Sequence, residues 1–514
     1  MSAEQLLAKC DLDKFKWSST DARTFSRPLG GSELVQDLYN RFEKGNQALF
    51  FAAYLDFAEP QAVSTVLAAA RAAWLSLRYQ IPIVATSIQV DDSSTPRLEY
   101  RVGDAAQVNK WADRTLVVNC RPVLDLNRFR EELGAQMVPS VSGDQTWMHI
   151  VMTPASLSSS RVSQLGFILH THHAPIDGMG SRIVVNRYLT EFAKSLGDDG
   201  KEPALQWGGE VENLTPAVFN VLAPSEPVPI PSSSAEEPSV IHPLYATLLG
   251  EMAVLGKSLE DQHGFKPRGG DPGWPNAQRL QLLFSSSESD RVFECMKEQP
   301  YTLTILAHAA LAMTQVFFNP VSTETEHLYM NNFVMRDIRS RLKAPYTDAG
   351  YPGYALSPPM FRLPVSLFLS DGTLLPMDRE LLLKLMGETE QIYDGHRKMA
   401  VAYVAQAAEV FAYMMQQGYA HNQVAVNEAY NFSSDGAGEK YLDSTFQDAN
   451  GKNMFSLRKF FTSVNHPHPA PYFRLSSWKR IIDIGADFNG NLLAPEEANE
   501  YLAKWKEFML LIVN

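Results

Sequence analysis

Cysteine is scarce in this 514-residue sequence and long apolar runs are missing, and both shortages narrow its class. Cys10, Cys120 and Cys295 lie far apart, a spacing that excludes a disulfide framework or a zinc ribbon. They read as three small buried side chains in a reducing compartment. No stretch of about 18 apolar residues occurs, so no membrane-spanning helix is expected, and the closing "FMLLIV" reads as the end of a helix. The opening "MSAEQLLAKCDLDKFKW" has no apolar core of the signal-peptide kind, which points to a cytoplasmic protein. An excess of basic charge is also missing. With a formal net charge of -13, general attraction to nucleic acid or to an anionic membrane is not expected.

What is present is globular: 45% hydrophobic and 20% charged residues. The length exceeds one ordinary core and implies two or three domains. Helical and strand periods alternate early on. "SELVQDLYNRFEKG" reads as a helix capped by Ser32, with Leu34, Leu38 and Phe42 on one face. "QALFFAAYLDF" reads as a strand, and "PQAVSTVLAAARAAWLSLRYQ" as a helix with Val66, Ala70, Trp74 and Leu77 inward. Between 216 and 280 the stretches "APSEPVPIPSSSAEEPSV" and "GFKPRGGDPGWP" read as extended connectors that bury little. The expected organisation is therefore an N-terminal domain over 1–215, a crossover over 216–280 and a C-terminal domain over 281–514. The second half restarts with a strand at "RLQLLFS", a helix boxed by Ser285 and Glu288, and a buried helix at "YTLTILAHAALAMTQVFF". Near the end, two strands joined by a turn at Asn489-Gly490 precede a helix opening at Pro495.

Histidine is scarce as well, 12 in all, yet three fall within "HTHHAPIDG", His170 to Gly178. Alternation through Leu165, Phe167 and Leu169 predicts a strand, and the apolar spacing after Gly178 predicts a helix. His172, His173 and Asp177 then occupy a tight loop between two rigid elements, where reactive groups are often held. A metal site is one reading, but no further ligands follow at the usual spacing. A buried structural pair and a single catalytic imidazole are the others. His466 and His468, in "NHPHPAP", read as loop residues.

His172-His173-Ala174-Pro175-Ile176-Asp177-Gly178 resembles the HHxxxDG signature of the CoA-dependent acyltransferase superfamily. That superfamily takes in the BAHD enzymes, chloramphenicol acetyltransferase, carnitine acyltransferases and peptide-synthetase condensation domains. "RDIRSRLKAPYTDAGYPGYAL", residues 336–356, resembles the D-x-R-x-R-L…P…G-Y-x-G segment of its second domain. "FSRPLGGSE", "YRVGDAAQVNKW" and "NFSSDGAGEKYL" are similar to the fungal branch typified by trichothecene 15-O-acetyltransferase, so the likeness runs over nearly the whole chain. The DFGWG motif of plant BAHD enzymes is absent; Phe432, Gly436 and Gly438 echo it loosely.

The resemblance implies an α/β fold of two chloramphenicol-acetyltransferase-like domains, each a mixed sheet with helices, enclosing a central channel. It implies His173 as general base, and Asp177 turned from the channel onto Arg339, or failing that Arg341. His172 would support the loop, and Gly178 would keep both the turn and the donor's pantetheine arm clear. Arg458, Lys459, Lys479 and Arg480 are candidate contacts for the CoA phosphates, and Trp147, Tyr354 and Phe473 for the acceptor. The activity expected is acyl-CoA-dependent O-acyl transfer, most simply acetyl transfer, to a terpenoid or polyketide-like alcohol. Such an enzyme would be a monomer using acetyl-CoA as cosubstrate, with no permanently bound cofactor, no metal, no nucleic acid and no membrane partner. Two rival readings use the same scaffold: a condensation-type enzyme fed by a carrier protein, and a binding protein without turnover.

Overall fold

The computed structural model describes residues 12–90, 96–139, 142–158, 160–226, 261–265, 273, 276–357, 359–399, 401–421 and 430–513. Two mixed sheets dominate it. In chain order their strands are β1 (Leu49–Ala62), β2 (Leu116–Cys120), β3 (Thr146–Met152), β4 (Arg161–Thr171), β5 (Ala277–Leu283), β6 (Asn431–Ala437), β7 (Thr445–Gln447), β8 (Asn453–Val464), β9 (Tyr472–Trp478) and β10 (Ile481–Asn489). The larger sheet runs β7-β8-β1-β4-β3-β2 and the smaller β6-β9-β10-β5. All pairs are antiparallel except β2 with β3 and β6 with β9.

From Leu49 to Leu55 β1 is wholly apolar because both of its faces are covered there. Phe51, Ala53 and Leu55 point at the helices Val63–Gln80 and Gly178–Gly197, beside Phe167 and Leu169 of β4. Phe50, Ala52 and Tyr54 point the other way, against Leu126, Phe129, Ile168 and Phe461. The smaller sheet lies under the helices Leu303–Phe318 and Pro495–Leu510, where Trp505 is fully buried and donates to the Ala307 carbonyl at 2.8 Å.

Several expected elements have identifiable local causes. The helix Ser286–Lys297 carries the full capping box of Ser285 and Glu288. In "YRVGDAAQVNKW" the physical content is a second box, Asp104 with Gln107. In "FSRPLGGSE" it is a buried two-pronged ion pair, Arg27 to Glu33 at 2.7 Å on each arm.

The structure also departs from expectation. β8, from the C-terminal part of the chain, pairs with β1 of the N-terminal sheet, and β7 pairs with β8 at its edge. The sheets therefore do not follow the boundaries 1–215 and 281–514, because a strand's partner is chosen by long-range packing. Within 216–226 the connector is packed: Ala217, Phe219, Val221 and Leu222 are buried with Ile338, Leu342 and Tyr351. Most of the remainder, 227–260, lies outside the described residues. The turn joining the last two long strands is Lys479-Arg480, both at positive φ (49° and 60°), while Asn489-Gly490 ends β10. That backbone conformation favours Asn-Gly, which is why the sequence signal misleads. Ser32 is the first helical residue rather than the cap, and Phe42 is 51% exposed, stacked on Tyr419. Cys120 is exposed and Cys295 half-buried, against the expectation of burial; Cys10 lies outside the described residues.

Candidate active site

β4 carries the chain through the middle of the larger sheet to Thr171, and the next six residues turn it into the helix Gly178–Gly197. Asp177 is that helix's N-cap, its Oδ1 accepting from Gly180 N at 2.6 Å. The same oxygen accepts from Arg339 Nη2 at 2.8 Å, and Oδ2 accepts from Ala355 N at 2.7 Å. Arg339 also donates to the carbonyls of Tyr351 and Gly353, each at 2.8 Å, and to Asp337 Oδ1 at 3.0 Å. Both partners are buried, which is tolerable because their donors and acceptors are matched. Burial alone would lower the Arg339 pKa, but Asp177 and Asp337 outweigh it and hold the guanidinium charged. Arg341 points elsewhere, onto Glu226 at 2.7 Å and the Arg397 carbonyl.

This clamp ties the histidine loop to the segment 337–355. His172 is fully buried, its Nδ1 accepting from Ala174 N at 3.1 Å, so its proton sits on Nε2, 3.7 Å from Asp37 Oδ1. Burial, with His173 and Arg41 nearby, lowers its pKa to about 3. His170 is a core ring stacked on Phe50 at 4.4 Å between centroids. His173 alone of the three borders open space: a cavity of about 790 Å³, counting its mouth. Its Nδ1 is buried, which leaves Nε2 as the nitrogen that can reach the cavity. Burial lowers its pKa to about 4, against an opposing pull from neighbouring backbone groups and Asp177. The imidazole is therefore neutral at physiological pH and able to accept a proton.

Gly178, Met179, Met335, Tyr354, Leu356 and Tyr472 form much of the remaining wall, and the Tyr354 ring lies 5.6 Å from that of His173. Charged groups line it too, Asp435 with Arg474 and Asp337 with Lys440. Gly178 stands on this wall, but a side chain there has room: a Cβ would come no closer than 3.7 Å to Arg474 or Thr462. The glycine that close approach demands is Gly180, where a Cβ would lie 2.3 Å from the Pro352 carbonyl oxygen. The sequence holds that signal as the second glycine of "DGMG".

The other candidates are dispersed. Arg458, Lys459, Lys479 and Arg480 do not line the cavity. Arg458 and Lys459 lie over the Tyr54 ring, Lys479 donates to the Leu457 carbonyl at 3.0 Å, and Arg480 pairs with Asp290 at 3.1 Å and Glu294 at 3.5 Å. Trp147 borders a different pocket, with His149 and Phe129, and Phe473 is core. His468 pairs with Glu43 at 3.1 Å and His466 Nε2 meets the Ala470 carbonyl at 2.7 Å. Among the described residues no cluster of His, Cys, Asp and Glu could hold a metal ion. No helix among them is long and apolar enough to cross a membrane. Arg474 and Asp435 went unnoticed in the sequence, because an arginine in a strand gives no sign of facing a cavity.

This pair of mixed sheets is the fold of solved acetyltransferase and condensation-domain structures. The fold is shared with the trichothecene 15-O-acetyltransferase TRI3 of Fusarium sporotrichioides (TM-score 0.82, 18% identity, 98% of this chain and 99% of that one). It is shared more distantly with the starter condensation domain of rhizomide synthetase (TM-score 0.58, 11% identity, 95% and 94% covered). The chain belongs to the family described as 15-O-acetyltransferase Tri3, whose profile matches residues 10–360. In sequence it is 21% identical to the Fusarium enzyme over 96% of both chains. It is 24% identical to the acetyltransferase pigO of Monascus ruber, over 65% of this chain and 66% of that protein. The protein is thus an O-acetyltransferase of the secondary-metabolism type.

Proposed function

We propose that the protein transfers an acetyl group from acetyl-CoA to a hydroxyl of a terpenoid or polyketide-like alcohol, with His173 as general base. The observation that carries this reading is His173 on the cavity wall with its Nδ1 buried, while its loop is clamped by Asp177 and Arg339. An alcohol becomes an adequate nucleophile as an imidazole takes its proton. The acceptor oxygen attacks the thioester carbonyl carbon, Nε2 takes the hydroxyl proton, and the carbonyl pair moves onto oxygen. When the carbonyl re-forms, the C–S bond breaks and the imidazolium returns the proton to the departing thiolate. No covalent acyl-enzyme is needed. Asp177 does not touch the reactants; it holds the loop. His172, whose Nδ1 accepts from Ala174 N, supports the same loop. Gly178 borders the path of the donor's pantetheine arm.

A cytoplasmic, monomeric enzyme fits the unpaired Cys120 and Cys295 and the way strands from both ends of the chain share one sheet. Calorimetric titration with acetyl-CoA, followed by turnover with a trichothecene bearing a free hydroxyl, tests the reading. Micromolar binding and ester formation are expected. Absence of binding to any CoA thioester would transfer the case to a carrier-protein donor.

A further inference from the structure

The tetrahedral intermediate of thioester attack carries an oxyanion, which needs a donor fixed in advance near the base. Two cationic side chains line the cavity, Lys440 and Arg474. Lys440 is half exposed and bound to Asp337 at 3.0 Å. Arg474, on β9, is 7% exposed and rigidly held. Its Nε and Nη2 donate to the Asp435 carboxylate at 2.8–3.2 Å, in the two-pronged form that fixes a guanidinium plane. Asp435 is itself held by Ser433 Oγ at 2.8 Å. This grip uses one edge of the guanidinium and leaves Nη1 without a hydrogen-bond partner among the described residues, on a side chain that lines the cavity.

Position adds to this. Nη2 lies 3.7 Å from where a Gly178 Cβ would stand, so Arg474 flanks the stretch of wall directly after the histidine loop. Gly178 is not required there by its backbone, and a Cβ would fill the space beside Nη2 and Thr462 at van der Waals distance.

We propose that Arg474 is a catalytic residue: its Nη1 hydrogens bond the thioester carbonyl oxygen as it becomes the oxyanion, and Asp435 is the positioning residue that aims them. This rests on the acetyl-CoA reading above. As the acceptor C–O bond forms, the carbonyl pair becomes a third lone pair on oxygen, and Nη1 donates to it without giving up a proton. Collapse returns the pair to the C=O bond as the C–S bond breaks, and the guanidinium is unchanged.

The test compares two ligands by calorimetry on the full chain: acetyl-CoA, and trifluoroacetonyl-CoA, whose hydrated ketone mimics the tetrahedral oxygen. Arg474→Gln is expected to weaken the tetrahedral mimic roughly 10²–10³-fold, the span for loss of one oxyanion donor, with acetyl-CoA affinity within about twofold. Arg474→Lys, which keeps a cation but not the fork, should recover part of that loss. Thermal melting identifies which variants are folded, and Asp435→Asn, which keeps the shape of the grip, supplies a milder perturbation expected to weaken the mimic selectively. Equal loss for both ligands, or no loss for either, in folded variants overturns the role of Arg474. Failure of the wild-type protein to bind acetyl-CoA at all overturns the donor reading instead.

Discussion

Asp177→Asn is nearly isosteric, and the structure dictates that it fails. The carboxylate receives three donors: Gly180 N–H and an Arg339 N–H on Oδ1, and Ala355 N–H on Oδ2. An asparagine amide must turn its NH₂ toward one of these two sets, placing donor against donor in a site without solvent, and it leaves Arg339 short of a counter-charge. Breaking a buried ion pair on one side costs about 3–5 kcal/mol. Asp337 still faces Arg339, which argues for the lower end. Unfolding entropy of about 2.1 cal/mol/K per residue gives roughly 1.1 kcal/mol/K for this chain, so Tm should fall by about 3 °C. Differential scanning calorimetry measures it, with Arg341→Met as control, since Arg341 is partly exposed and outside the clamp. A drop no larger than the control's means that the clamp does not bear on stability. Normal stability with lost turnover would mean that Asp177 acts in the chemistry, contrary to its place behind the loop.

Other outcomes follow from the same geometry. His173→Ala should lower turnover about 10²–10⁴-fold while acetyl-CoA binding persists, and a variant with near wild-type turnover removes His173 as the base. Gly180→Ala should destabilise the fold by at least about 1–3 kcal/mol because its Cβ meets the Pro352 backbone. Gly178→Ala should fold normally and lose donor affinity; melting and titration of the two variants separate the roles, and similar melting temperatures would refute the assignment. Acid should unfold the protein sharply. Burial lowers the pKa of His149, His173 and His396 to about 4 and of His172, His308 and His466 to about 3. Below about pH 6.5 the unfolded chain binds protons that the folded chain excludes, so stability falls as pH drops from there toward 4. Each ring contributes up to about 1.4 kcal/mol per pH unit, and a Tm that stays level from pH 7 to pH 5 would contradict the burial of these rings.

How far the site could be read beforehand differs residue by residue. The strand into His170–His173, the loop and the helix after Gly178 are local patterns, and the Asp177 cap is a local rule, so all were visible in a single stretch of chain. Arg339 was legible through the resemblance of "RDIRSRL" to a family segment, which ranked it ahead of Arg341, and the geometry pairs it with Asp177. The four basic residues named for phosphate contacts are located only by the fold, away from the cavity wall, because charge in a sequence carries no direction.

The sequence by itself determined the α/β class and most of the long helices and strands, and its resemblance to a known signature singled out His173 in the histidine loop. Each depends on period, capping or a short motif, and these act within a few residues. Only the tertiary structure decided that residues 445–464 would complete the N-terminal sheet, that Gly180 rather than Gly178 carries the close approach, and that Arg474 and Asp435 would face His173's cavity. Those outcomes depend on which surfaces meet after hundreds of intervening residues, and on side-chain direction in strands whose faces are assigned only when the sheets are packed.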